Sequence, residues 1–159
     1  MTVTFPRKRL LRAHGQSVVF VKNPLESPQH VLMKAYLWAL YLPQYPDLYV
    51  ETKIGDKYKP DVVQLAADGR PIFWGESGQV SVKKIESLVR RFPDTHFAIA
   101  KWETNLKPVA AIIAEALAGR PRAAPFDLIR FNADSAARFI DAEGNVRLTH
   151  ADLEWQRFP

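Results

Sequence analysis

The residues best suited to chemistry are two carboxylates, Asp61 and Glu76. They stand at the outer ends of two apolar runs, "DVVQLAA" and "PIFWGES", that meet at Asp68-Gly69. If Asp68 and Gly69 form a two-residue hairpin loop, Ala67 faces Arg70, Ala66 faces Pro71, and each outward pair keeps the same sum of residue numbers. Carried outward, this pairing sets Asp61 directly opposite Glu76. Facing antiparallel neighbours have Cβ atoms about 4.5–5.5 Å apart, and like charges at that separation destabilise a sheet unless a cation lies between them. Two hard oxygen donors on adjacent strands, flanked by Val62, Val63, Phe73 and Trp74, suit Mg²⁺ completed by water and phosphate oxygens. Such an ion polarises a phosphoryl group and lowers the pKa of a bound water. A plainer reading fits the same residues: Asp61 caps a strand after Pro60, and Glu76 ends its partner in solvent. A one-residue slip in register would turn one acid to the other face.

The elements that must position these acids follow from periodicity. Ser27 is a suitable N-cap and Pro28 a suitable first residue for a helix in which Val31, Leu32, Ala35, Trp38, Ala39 and Leu42 recur at three- and four-residue steps. Tyr36, Leu37, Leu40 and Tyr41 widen its apolar surface, so it is read as buried on most sides, and Pro43 and Pro46 end it. Extended segments are read at "VTFP", at "QSVVFV" and over 47–54, and two further strands surround Asp68-Gly69. Val82, Ile85, Leu88, Val89 and Phe92 stripe a second helix. "HFAIAKW" reads as a strand, "KPVAAIIAEALAG" as a helix ending at Gly119, and "FDLIRF" as a strand joined by a parallel crossover. A terminal hairpin turning at Glu143-Gly144-Asn145 and a short last helix with a capping box at Thr149–Asp152 complete the chain. The whole reads as one α/β domain, a mixed sheet with helices packed on it.

Composition narrows the chemistry. The 159 residues contain no cysteine, which excludes disulfides and thiolate-held zinc or iron–sulfur centres. No apolar run approaches the roughly 18–20 residues that span a bilayer. "MTVTFPRKRLLRAHG" is basic but leads into no apolar leader core, so the chain is read as cytoplasmic, with no membrane partner. Twenty-two Lys and Arg against seventeen Asp and Glu leave a net charge of +5, a mild lean toward polyanions.

The order helix, three strands, helix, strand, with Pro60-Asp61 in "KPDVV" and Glu76-Ser77-Gly78-Gln79 in "GESGQ", resembles the PD-(D/E)XK nuclease superfamily. Within it, the chain resembles the bacterial YaeQ family, whose members carry a Pro-Asp and then an apolar strand ending in Glu-x-Gly-Gln. "NPLESPQHVLMKAYLWAL" is similar to that family's approach to its first helix. The resemblance covers residues 17–102, with 103–159 as a helix, strand and hairpin extension of a single domain over 1–159. It implies a restriction-endonuclease-like mixed β-sheet flanked by helices, core order α-β-β-β-α-β, and Mg²⁺- or Mn²⁺-dependent hydrolysis of phosphodiesters in DNA or RNA.

On that resemblance Asp61 and Glu76 bind the metal, and Glu26, just before the first helix, is a further metal acid. Glu26 serves equally as a favourable charge at the helix N-terminus. The superfamily places a lysine two residues after its second acid, where it helps orient the attacking water. Here that position is Gly78, which has no side chain. Gln79 follows, but adjacent residues on a strand face opposite ways, so Gln79 reaches the site only where the strand has ended or bulged. Lys84 is the other candidate, at the edge of the second helix's apolar stripe, because some superfamily members supply their lysine from this helix. The catalytic set is therefore Asp61, Glu76, Gln79 and Lys84. Arg7, Lys8, Arg9 and Arg12 would contact phosphates, giving affinity without sequence readout. Glu51 and Lys53 either line the cleft or pair on an edge strand. His14, His30, His96 and His150 show no ligand spacing and are read as structural or exposed. Two functions stay open: a nuclease, or a catalytically inactive nuclease-fold protein that binds nucleic acid or protein, which the missing lysine favours.

Overall fold

In the computed structural model, which describes residues 2–159, a two-stranded hairpin stands beside a six-stranded mixed sheet. The hairpin is β1 (Lys8–Ala13) and β2 (Gln16–Val21). Then come α1 (Pro28–Tyr41), β3 (Tyr49–Val50), β4 (Val62–Leu65), β5 (Pro71–Ser77), α2 (Val82–Arg91), β6 (His96–Trp102) and α3 (Leu106–Leu117). The chain closes with β7 (Phe126–Phe131), α4 (Ser135–Phe139), a 3₁₀ turn (His150–Asp152) and β8 (Glu154–Phe158). The large sheet runs β3-β4-β5-β6-β7-β8. β5, β6 and β7 are mutually parallel, joined through α2 and α3, and the remaining pairs are antiparallel.

Alternation along the strands feeds two cores. Phe73, Ala98, Ala100 and Ile129 face α1, while Trp74, Phe97, Ile99 and Leu128 face Ile85 and Leu88 of α2 and Ile113 of α3. α1 starts where its cap predicts, with Ser27 Oγ accepting the His30 amide at 3.1 Å. Every residue from Val31 to Tyr41 is buried, because the hairpin covers the helix on its far side with Leu11 and Phe20. Among the described residues no helix is long and apolar enough to cross a membrane.

The turn between β4 and β5 departs from the two-residue loop. Ala66 donates to the Arg70 carbonyl at 2.7 Å and Gly69 to the Ala66 carbonyl at 2.9 Å, so Ala67, Asp68 and Gly69 form a three-residue loop. Gly69 takes φ 88°, as the last residue of such a loop requires. That alone would slip the pairing by one, and Leu65 does face Pro71. Ile72 is then bulged out, and Gln64, Val63 and Val62 face Phe73, Trp74 and Gly75. The two departures cancel, restoring the register predicted for the outer part of the hairpin.

Other expectations change more. "VTFP" forms no strand, and the first strand is instead β1, whose Leu11 and Ala13 point inward. Of 47–54 only Tyr49 and Val50 pair, because the backbone turns at Glu51 with φ 59°. The proposed terminal hairpin is reduced to one bridge between Ile140 and Val146, with residues 135–139 helical. The Thr149–Asp152 capping box is present, but it opens only a 3₁₀ turn, after which β8 joins β7.

Candidate active site

Asp61 lies one residue before β4. Its amide donates to the Gly75 carbonyl at 3.0 Å and its carbonyl accepts the Glu51 amide at 2.9 Å. The ladder is therefore irregular at this step, and the carboxylate is held by Ser77, the last residue of β5, and by His30. Asp61 Oδ2 accepts the Ser77 amide at 2.8 Å and the Ser77 hydroxyl at 3.0 Å, with His30 Nε2 at 3.4 Å. Glu76 shares the face of Trp74. Its Oε1 accepts Trp74 Nε1 at 2.9 Å and lies 2.7 Å from Lys84 Nζ, reaching down from α2.

The ladder keeps the expected register as far as Val62 and Gly75, and Asp61, one residue before β4, bonds Gly75 instead of pairing in the ladder with Glu76. Each acid has its own protein donors, so no bound ion is needed to make the arrangement tolerable. The two still feel each other. Burial pushes the Glu76 pKa up, and the Asp61 charge pushes it further, against the Lys84 and Trp74 contacts. Burial also works against the Asp61 carboxylate, but hydrogen bonds from His30 and Ser77 outweigh it and hold its pKa below the usual value. One oxygen of each acid stays uncommitted: Asp61 Oδ1 and Glu76 Oε2 accept no hydrogen bond from the described residues. Among the described residues the one buried side-chain polar atom without a partner is Trp38 Nε1, so neither of these oxygens is fully enclosed.

The position two residues after Glu76 has a physical reason to lack a side chain. Gly78 leaves the strand at φ 86°, a conformation that side chains other than glycine's rarely adopt. Its amide donates to Ala100 at 3.0 Å and its carbonyl accepts Lys101 Nζ at 2.8 Å. Lys84, capped in place by the Ser81 hydroxyl at 3.1 Å, brings a cation to Glu76 from the helix instead.

This framework has solved counterparts. The chain superposes on the YaeQ protein of Pseudomonas syringae with a TM-score of 0.54 at 14% identity, covering 72% of this chain and 61% of that one. It superposes on the YaeQ protein of Xanthomonas axonopodis pv. citri with a TM-score of 0.54 at 14% identity, covering 79% and 82%. The fold is that of the YaeQ proteins. The chain spans about three fifths of the Pseudomonas protein's length, at 61%. No family model and no curated protein matches the sequence.

Around this YaeQ fold the remaining candidates separate. Glu26 Oε2 is held by His30 Nδ1 at 2.6 Å and Lys34 Nζ at 2.5 Å, so it communicates with Asp61 through His30. Lys34 is only 1% exposed and also pairs with Glu51, which in turn holds Lys59 at 2.8 Å. A cation buried this deeply needs both acids, and together they outweigh burial and raise its pKa. His30 is the residue that sequence reasoning passed over. Its signal was the spacing of Glu26, His30 and Lys34, each four residues from the next. Gln79 is exposed and lines a cavity of about 460 Å³ with Val80, Ser81, Ile85, Ile99 and Lys101, a lining that includes neither acid. Arg9 and Arg12 donate to the carbonyls of Asp141 and Glu143, while Arg7 and Lys8 are exposed. None of these four touches the acid cluster. Lys53 is exposed and forms no ion pair with Glu51. Among the described residues no three His, Asp or Glu side chains cluster closely enough to hold an ion alone.

Proposed function

We propose that the chain is a metal-dependent phosphodiesterase of the PD-(D/E)XK type and a YaeQ relative, acting on DNA or RNA. The observation that carries this reading is the 2.7 Å contact of Lys84 Nζ with Glu76 Oε1, beside Asp61. It supplies an acid–acid–lysine set in a chain whose motif position is Gly78. The free Asp61 Oδ1 and Glu76 Oε2 are the hard donors that Mg²⁺ or Mn²⁺ takes, with water and phosphate oxygens completing the shell. When bound, such an ion supplies charge stabilisation at the phosphoryl group and a more acidic water. Lys84 works against the burial and the Asp61 charge that raise the Glu76 pKa, and donates to the water or phosphate that meets it. Ser77 and His30 fix the orientation of Asp61, leaving its second oxygen outward.

The test is cleavage of plasmid and RNA by the purified chain with and without Mg²⁺ or Mn²⁺. Asp61→Asn, Glu76→Gln and Lys84→Met should each lower the rate about 10²-fold or more. Equal cleavage by the wild type and all three variants would refute the assignment. One observation favours a second reading, a nuclease-fold protein that binds without cutting: Glu26 is committed to His30 and Lys34. Calorimetric titration with Mn²⁺ separates the two, since absence of binding in the millimolar range favours the second.

A further inference from the structure

α2, which sends Lys84 to Glu76, also borders a charged pocket that neither acid lines. Lys57 from the β3–β4 connection, Lys83 and Arg90 from α2, and Arg120 from the segment after α3 line a cavity of about 190 Å³, with Glu86 and Ser87. All four cations are exposed, and none forms an ion pair among the described residues. The neighbouring cations Lys59, Lys84 and Arg91 are each paired, with Glu51, Glu76 and Asp56. Glu86, the single acid in the lining, pairs with none of the four. Three separate segments thus bring like charges around one small space, an arrangement that attracts an anion.

The pocket is built rather than incidental. Asp56 bonds the Arg91 guanidinium, which ties the loop to α2, and Tyr58 lies beneath Lys57 at 5.2 Å, Lys84 at 5.0 Å and Arg91 at 5.9 Å. Lys84 is therefore shared: its ammonium touches both Glu76 and the ring that orders this loop. Arg90 and Arg120 offer planar forks that match phosphate oxygens, and Lys53 extends the same loop's positive charge.

We infer that this pocket holds a backbone phosphate of a nucleic acid and guides the strand to Asp61 and Glu76, in place of the N-terminal arginines. The identity of the anion rests on the phosphodiesterase reading, but its test uses neither metal nor cleavage. Binding of a fluorescein-labelled single-stranded DNA to the full chain in EDTA is followed by anisotropy over a series of KCl concentrations. The triple variant Lys57→Gln, Arg90→Gln, Arg120→Gln should bind about 10-fold more weakly at low salt, and its slope of log K against log[KCl] should fall by about 1–2. The charge-matched triple Lys107→Gln, Arg138→Gln, Arg147→Gln, at exposed positions outside the pocket, should leave both nearly unchanged.

Equal losses in the two triples would reduce the effect to net charge and overturn the proposal. So would wild-type binding by the first triple. Saturable binding of inorganic phosphate without binding of the oligonucleotide would also overturn it, by assigning the pocket to a free anion. Asp61→Asn should bind DNA like the wild type, so a dead nuclease and a misplaced phosphate site give different results.

Discussion

Asp127 and Glu76 are carboxylates buried in the same sheet, two strands apart, on opposite faces. Asp127 is wholly enclosed. Its Oδ2 accepts Tyr41 Oη at 2.6 Å, His96 Nε2 at 2.7 Å and Arg157 Nη2 at 3.0 Å, and its Oδ1 accepts Arg157 Nε at 2.8 Å. Burial opposes its charge, but the bonds from His96, Arg157 and Tyr41 outweigh burial and bring its pKa down to about 2. Glu76 has fewer donors, keeps Oε2 free, and is pushed the other way. The chain can therefore satisfy a buried carboxylate fully when structure is all that is asked of it. An under-satisfied acid with an oxygen that is not fully enclosed, next to a second acid and a lysine, is where a functional site would spend stability.

The largest effect should come from opening the closed cluster. Asp127→Ala strips the partner from a buried histidine, a tyrosine hydroxyl and an arginine, and should cost about 3–5 kcal/mol by urea denaturation. Glu76→Gln should leave stability unchanged or raise it at neutral pH. The signs follow from the pKa directions. Asp127 is depressed, so its contribution is complete above its ordinary 3.8 and is lost as pH falls toward about 2. Glu76 is raised, so its contribution is present below its ordinary 4.5 and is lost as pH rises through the folded value. Denaturation midpoints between pH 2 and 7 check both, and a Glu76→Gln loss comparable to that of Asp127→Ala would erase the contrast.

A smaller effect is expected at the turn out of β5. Gly78→Lys puts a lysine two residues after Glu76 but places a side chain at φ 86°. A Cβ there would meet only His30 Cδ2, at 3.8 Å, so the cost is backbone strain of about 1–2 kcal/mol, read by thermal or urea unfolding. Under the proposed phosphodiesterase reading, cleavage should not improve, because Lys84 already occupies Glu76. A gain in cleavage would assign the lysine role to position 78 rather than to Lys84.

How much of this was legible follows physical lines. Local signals carried α1 and α2: the Ser27 cap, the period of Val31 to Leu42, and the stripe through Ile85 and Leu88. Asp61, Glu76 and Lys84 could be singled out because resemblance and helix position both marked them. The three-residue loop and the Ile72 bulge could not be read, since either alone spoils the register and only the folded sheet shows them cancelling. β8 is five residues with little alternation, recognisable only through its partner β7. His96 and Asp127 are 31 residues apart, and nothing local announces a bond formed by the parallel crossover between them. The same holds for Arg120, whose companions Lys57, Lys83 and Arg90 lie on other segments.

The subtlest difference between the two clusters lies in how they hold their histidines, and His30 can be read directly. His30 touches two carboxylates, Glu26 at 2.6 Å and Asp61 at 3.4 Å, and its pKa is raised above 6.5. Glu26 is nearer, but its charge is already engaged by Lys34, whose own charge also opposes protonation of the ring. Asp61 therefore does more to hold the proton, and burial works against it. Stability from this pair is complete below 6.5 and is lost as pH rises through the folded value. In an NMR titration of the ring protons, Asp61→Asn should lower the His30 pKa more than Glu26→Gln does. The reverse order would show that His30 belongs to the Lys34 network alone, and that Asp61 is positioned by Ser77 without help from α1.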